Sequence, residues 1–115
     1  PSKPAWGPLR VADAASLAVL GEDGWEIWSL GGDGRRRWRS TVTTAASDRC
    51  SPPAVDGERL FVATLGGEII RLDVADGSVR SRIGIGVPLV VAPVVADDFL
   101  VVTSAAGEVL WLKKP

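Results

Sequence analysis

The chain has no histidine, no methionine and no tyrosine, and a single cysteine, in 115 residues. Each gap excludes something. Without histidine, the commonest general base at neutral pH and the commonest metal ligand are both missing. Cys50 has no second cysteine for an internal disulfide, which leaves the redox compartment open, and no imidazole to activate it. Ser40, Ser47, Ser51 and Ser104 lack that base as well, so the sequence holds no catalytic constellation and implies a non-enzyme. Charge of one sign is also lacking: the formal net charge is -1, which argues against a general nucleic-acid binder. No apolar run approaches the roughly 18–20 residues of a membrane-spanning helix. Val87 to Val95 comes nearest and is broken by Pro88 and Pro93. Nor does the start at Pro1 show a signal-peptide pattern, as expected of a processed form or a piece of a longer protein.

What is present is apolar residues (46%), glycine (13) and tryptophan (5). The apolar residues fall in short runs broken about every eight to twelve residues by Gly, Asp-Gly or Pro. That spacing belongs to all-β folds. Ser51 to Leu72 reads as an entry strand (Pro53–Val55), an Asp56-Gly57 turn, a strand Leu60–Ala63, a Gly66-Gly67 turn and a strand through Leu72. The pattern returns about 40 residues later. Pro53 matches Pro93, Leu60 matches Leu100, Gly67 matches Gly107, Glu68 matches Glu108 and Leu72 matches Leu112. A degenerate copy precedes it, in which Leu17 and Gly24 stand for Leu60 and Gly67, and Asp33-Gly34 for Asp76-Gly77.

The spacing predicts one unit over residues 1–115 with repeats near 8–42, 51–85 and 91–115. The strands fall four, four and three. Leu60-Phe61-Val62-Ala63 and Phe99-Leu100-Val101-Val102 do not alternate polar with apolar, so both faces of these strands must be covered. Propeller blades, each packed between neighbours, meet that condition; a sandwich with one wet face per sheet does not. A ring of about 4–8 blades is usual, so the chain is expected to be a fragment of a larger propeller, to close a ring by self-association, or to form an open strand-exchanged arrangement.

The order P-P-A-V-D-G-x-x-L-F-V-A-T-x-x-G-x-I-x-x-L-D-x-x-D-G-x-V resembles the repeat of the quinoprotein-like β-propellers, which carry the pyrroloquinoline-quinone repeat. In that family the outer strand often bears a Trp shortly after its turn glycine. Trp38 after Gly34 matches, and Ser81 after Gly77 departs. Residues 93–112 resemble the final, incomplete blade of such propellers, which a strand from the N-terminal part of the fold completes. The resemblance implies a scaffold that binds partner proteins, as in the outer-membrane assembly propeller, with a periplasmic or envelope address and no cofactor. It also admits a fragment of a pyrroloquinoline-quinone-dependent dehydrogenase. Those enzymes use a divalent cation and a vicinal cysteine pair, and this chain has no such pair. An engineered or excised fragment without independent function is a third reading.

Partner contacts are expected on the turns, at Glu22, Asp23, Trp25, Asp97 and Asp98. Arg35, Arg37 and Arg39 would share one strand face, with Arg36 and Trp38 on the other. The arginines would meet an acidic partner or a phosphate-bearing surface, or more simply guard an edge strand against pairing. The other acidic residues read as turn formers. Trp28, Trp38 and Trp111 are expected to fill space between blades. Gly84-Ile85-Gly86 lacks the third glycine and the helix of a dinucleotide fingerprint.

Overall fold

A computed structural model describes residues 9–11, 14–89 and 91–115, with side chains from Ser16 onward. Every regular element among them is a strand: β1 (Leu9–Val11), β2 (Ala14–Leu20), β3 (Trp25–Leu30), β4 (Arg36–Thr41), β5 (Ala54–Asp56), β6 (Arg59–Ala63), β7 (Glu68–Asp73), β8 (Val79–Gly84), β9 (Val94–Ala96), β10 (Phe99–Thr103) and β11 (Val109–Lys113). They form three antiparallel meanders, β1-β2-β3-β4, β5-β6-β7-β8 and β9-β10-β11. We name these sheets blades 1, 2 and 3. The division into four, four and three strands is the one expected from the repeat.

The non-alternating runs now have a physical account. Leu60 and Val62 project from β6 toward blade 1. There they join Ala18, Trp25, Ile27, Val42, Cys50, Ile70 and Leu72 in one buried cluster. Phe61 and Ala63 project the other way and pack with Ile69, Leu89, Leu100 and Val102. Blade 2 is thus the filling between two others, and both faces of its strands are greasy for that reason. Phe61, Leu60 and Val62 are wholly buried; each such side chain contributes roughly 1.5–3 kcal/mol through lost water contact.

Loops tie the stack together. The crossover from β4 to β5 passes over the β2–β3 turn, where Ala46 O accepts a hydrogen bond from Trp25 Nε1 at 2.9 Å and Thr43 Oγ1 accepts one from Trp25 N at 3.1 Å. Its Asp48 then accepts from Gly66 N at 2.7 Å in the β6–β7 turn. Blades 2 and 3 share a turn design. Thr64 Oγ1 accepts from Glu68 N, and Ser104 Oγ accepts from Glu108 N, both at 3.1 Å. This is the structural basis of the Gly67–Gly107 and Glu68–Glu108 match.

One expected pattern is overturned. In β4, Ser29 pairs with Trp38 but Leu30 pairs with Arg36, so Arg37 is the extra residue of a β-bulge. The bulge breaks the simple alternation of the arginines. Arg36 joins the face of Trp28, with its guanidinium carbon 5.0 Å from the indole centre. Arg35, Arg37 and Arg39 therefore do not form a single row. Blade 2 repeats the bulge at Arg80, between the pairs Arg71–Ser81 and Leu72–Val79.

Candidate partner-binding surfaces

Antiparallel meanders send successive turns to alternate ends. The β2–β3 turn with Glu22 and Asp23 lies at one end of the stack. The β3–β4, β7–β8 and β9–β10 turns lie at the other, with Arg35, Asp97 and Asp98. The expected contact residues are therefore split between two surfaces.

At the first end, Glu22 and Asp23 line a groove of about 350 Å³ together with Gly21, Glu26 and Arg39. Glu26 and Arg39 reach it from neighbouring strands. Trp28 Nε1 donates to Glu26 Oε1 at 2.8 Å, which orients that carboxylate, and Arg36 covers the same indole. The groove sets three carboxylates around one guanidinium and is open to solvent, a geometry suited to a cationic side chain of a partner. Trp25 does not belong to this surface. It is 6% exposed, in the core between blades 1 and 2. Its position beside a turn suggested exposure, whereas the crossover Thr43–Ala46 folds over it. No local signal in Trp25 and its neighbours announces that lid.

At the second end, Asp33 Oδ1 accepts from Arg35 N and Asp76 Oδ1 from Ser78 N, both at 2.9 Å. These are the turn bonds expected of such aspartates. The Ser78 N–H also holds the exposed Asp76 carboxyl below its usual range. Asp97 and Asp98 form a two-residue turn, since Ala96 pairs with Phe99. Asp97 has φ of 51°, where the equivalent place in blade 2 holds Gly57 at 60°. Close by, Lys114 Nζ meets Asp56 Oδ2 at 2.7 Å and Lys114 N donates to Asp98 O at 3.0 Å, fastening the end of blade 3 to the first strand of blade 2. Arg80 pairs with Asp73, which holds its guanidinium in the charged form. Arg82 crosses to blade 1 and donates to Val42 O at 2.9 Å. These arginines stitch as well as guard.

The tryptophans divide. Trp38 packs between blades as expected: its Nε1 donates to Val74 O at 2.8 Å and its ring lies on Gly77. Trp28 is half-buried under Arg36. Trp111 departs from expectation. It is 64% exposed and meets Phe99 edge-on, with ring centres 6.2 Å apart. Both stand on the outer face of blade 3 with Val94 and Val109, which are 60% and 58% exposed. That face is bare because no further blade lies on it among the described residues. Trp6 lies outside them.

A family model described as outer membrane protein assembly factor BamB matches residues 22–114. The chain belongs to this family of pyrroloquinoline-quinone-repeat β-propellers. Solved structures agree on the fold. BamB from Moraxella catarrhalis superposes with a TM-score of 0.71 at 15% identity, over 98% of this chain and 44% of that one. The computationally designed Ika4 protein gives 0.72 at 13% identity, over 94% and 64%. A europium-containing methanol dehydrogenase gives 0.70 at 19% identity, over 97% and 25%. The chain thus spans less than half the length of the natural propellers it matches. No curated protein matches it in sequence.

The quinone cofactor of the dehydrogenase alternative finds a poor fit among the described residues. The only thiol, Cys50, is buried, and burial pushes it up to about 12, with Asp48 adding to the effect. Its Sγ donates to Ser51 O at 3.2 Å. Among the described residues, no group of three or more His, Cys, Asp or Glu side chains is placed to hold a metal ion. These residues offer neither the vicinal cysteines nor the cation site that such chemistry uses.

Proposed function

We propose that this chain is part of a non-catalytic propeller scaffold that binds partner proteins in the bacterial envelope, in outer-membrane protein assembly or in sensing. The observation that carries this reading is the groove of Glu22, Asp23, Glu26 and Arg39, an open, acidic recess on a rigid sheet. The family description adds the envelope setting. We read residues 1–115 as one unit with repeats near 8–42, 51–85 and 91–115. The bare outer face of blade 3 is the face a further blade would cover, supplied by the remainder of the propeller or by a second copy closing a ring; mass in solution distinguishes the two.

Photo-crosslinking residues placed at positions 22, 23 and 97 in the protein expressed in its own cells test the partner reading. Adducts with a protein partner are expected from 22 and 23, and their loss on adding Glu26→Lys, which reverses a carboxylate of the groove, would not follow if the groove were a bystander. Absence of adducts from all three positions removes the proposal. The dehydrogenase alternative has its own test: quinone absorbance retained on the purified chain with added calcium would favour it.

A further inference from the structure

The last hairpins of blades 1 and 2 match residue by residue. Both outer strands carry a bulge, at Arg37 and at Arg80. The turns before them are tied the same way: Gly34 N donates to Gly31 O, as Gly77 N donates to Asp73 O. With the registers aligned, Gly31 is the counterpart of Asp73, Glu26 of Glu68, Arg37 of Arg80 and Arg39 of Arg82.

The two hairpins are not balanced alike. In blade 2 each arginine has its carboxylate. Asp73 Oδ2 meets Arg80 Nε at 2.6 Å, and Glu68 Oε1 meets Arg82 Nη1 at 3.5 Å. In blade 1 the first carboxylate is missing, because Gly31 has no side chain. The second is engaged elsewhere, since Glu26 Oε1 accepts from Trp28 Nε1. Arg37 nevertheless lies where Arg80 lies in blade 2. Its Cγ and Cδ are 3.7 Å from the point that a Cβ on Gly31 would take. Asp33 Oδ1 comes to 3.1 Å from the same point but is bonded to Arg35 N. Among the described residues, no carboxylate forms an ion pair with Arg35 or Arg37, and both arginines are exposed. What remains is a guanidinium beside a notch with the outline of an absent aspartate.

We propose that an acidic segment of a partner protein fills this notch with an Asp or Glu side chain, which pairs with Arg37 as Asp73 pairs with Arg80. The proposal rests on the partner-binding reading above and names a second surface and the chemistry it recognises. The bond is charge-assisted, and Arg35 at the turn adds attraction of the same sign. A protruding carboxylate can enter a gap one side chain wide, whereas the plane of a lipid headgroup surface cannot. The partner docks by side chains and not by adding a strand, because arginines along an outer edge oppose pairing.

The probes are a polyglutamate peptide, a polyglutamine peptide of the same length, inorganic phosphate and vesicles of phosphatidylglycerol. The readout is the NMR shift of each arginine Nε–H in the purified chain. Polyglutamate is expected to move Arg37 Nε–H saturably, and polyglutamine to leave it in place. Gly31→Asp supplies the missing carboxylate from within and weakens the peptide on the order of tenfold; Gly31→Ala, with the same Cβ and no charge, keeps the wild-type affinity. Gly31 has no positive φ, so both variants are open to the backbone. Asp73→Gly makes the converse change: it frees Arg80, whose Nε–H should then respond to polyglutamate as Arg37 does. Should Gly31→Asp not fold, that variant decides. No saturable shift at Arg37 overturns the proposal. So does equal affinity in Gly31→Asp and Gly31→Ala, or an Arg80 that stays silent in Asp73→Gly. A larger response to phosphate or to the vesicles than to polyglutamate also overturns it and assigns the arginines to a phosphate-bearing surface. The crosslinks from positions 22 and 23 read the groove at the other end of the molecule, so either test can fail while the other succeeds.

Discussion

Replacing Gly77 by alanine strikes the joint between blades 1 and 2, and its cost follows from the coordinates. Gly77 has φ of +76°, a left-handed backbone that costs an L-residue roughly 1–2 kcal/mol. An added Cβ would lie 2.4 Å from Trp38 Cε3 and 2.7 Å from Cδ2. The atom is part of a rigid indole, so the ring must shift. That displacement carries an overpacking cost of about 1–3 kcal/mol. It also endangers the 2.8 Å bond from Trp38 Nε1 to Val74 O, worth about 1 kcal/mol. Together these put Gly77→Ala at about 3–6 kcal/mol, a large share of the roughly 5–15 kcal/mol that holds a domain folded. Urea unfolding, followed by circular dichroism, measures it. The decisive step is the double variant with Trp38→Ala. Once the ring is gone, only the backbone term remains, and Gly77→Ala is expected to cost about 1–2 kcal/mol. Equal cost in both backgrounds would refute the joint as described.

Three further outcomes are expected. Asp97→Gly relieves the positive φ and stabilises by about 0.5 kcal/mol after the extra freedom of glycine in the unfolded chain is counted, while Asp97→Ala destabilises; a lower urea midpoint for the glycine variant contradicts this. Cys50 stays protonated in the folded chain up to about 12 but ionises near 9.0 when unfolded. The unfolded state therefore releases the proton first, and stability falls by about 1.4 kcal/mol per pH unit as pH rises above that value. Cys50→Ala should remove that alkaline slope, and the native thiol should resist alkylation at pH 8. Lys114→Ala breaks the partly buried pair with Asp56 and costs about 1 kcal/mol at low salt; the difference from wild type should shrink in 1 M salt, and an unchanged gap would show that packing of the lysine stem, not charge, holds blade 3.

Periodicity alone determined the number of strands, their grouping and their turns. A strand is a local object: its apolar run and the Gly or Asp-Gly that ends it are neighbours in sequence. The same locality made the sandwiched position of blade 2 legible, because Leu60-Phe61-Val62-Ala63 has no polar side to offer. Contacts between distant segments were decided only in three dimensions. Trp25 is buried by a crossover that begins at Thr43, and nothing beside Trp25 records that approach. One extra residue, Arg37, reversed the sidedness of the arginines, since bulges change alternation without changing composition. Trp111 and Trp38 are alike as residues. One finds Gly77 of the next blade beneath it, and the other faces a side of the stack that no blade covers among the described residues. Which of them packs and which is free depends on what lies next door in space, a quantity that no window of sequence contains.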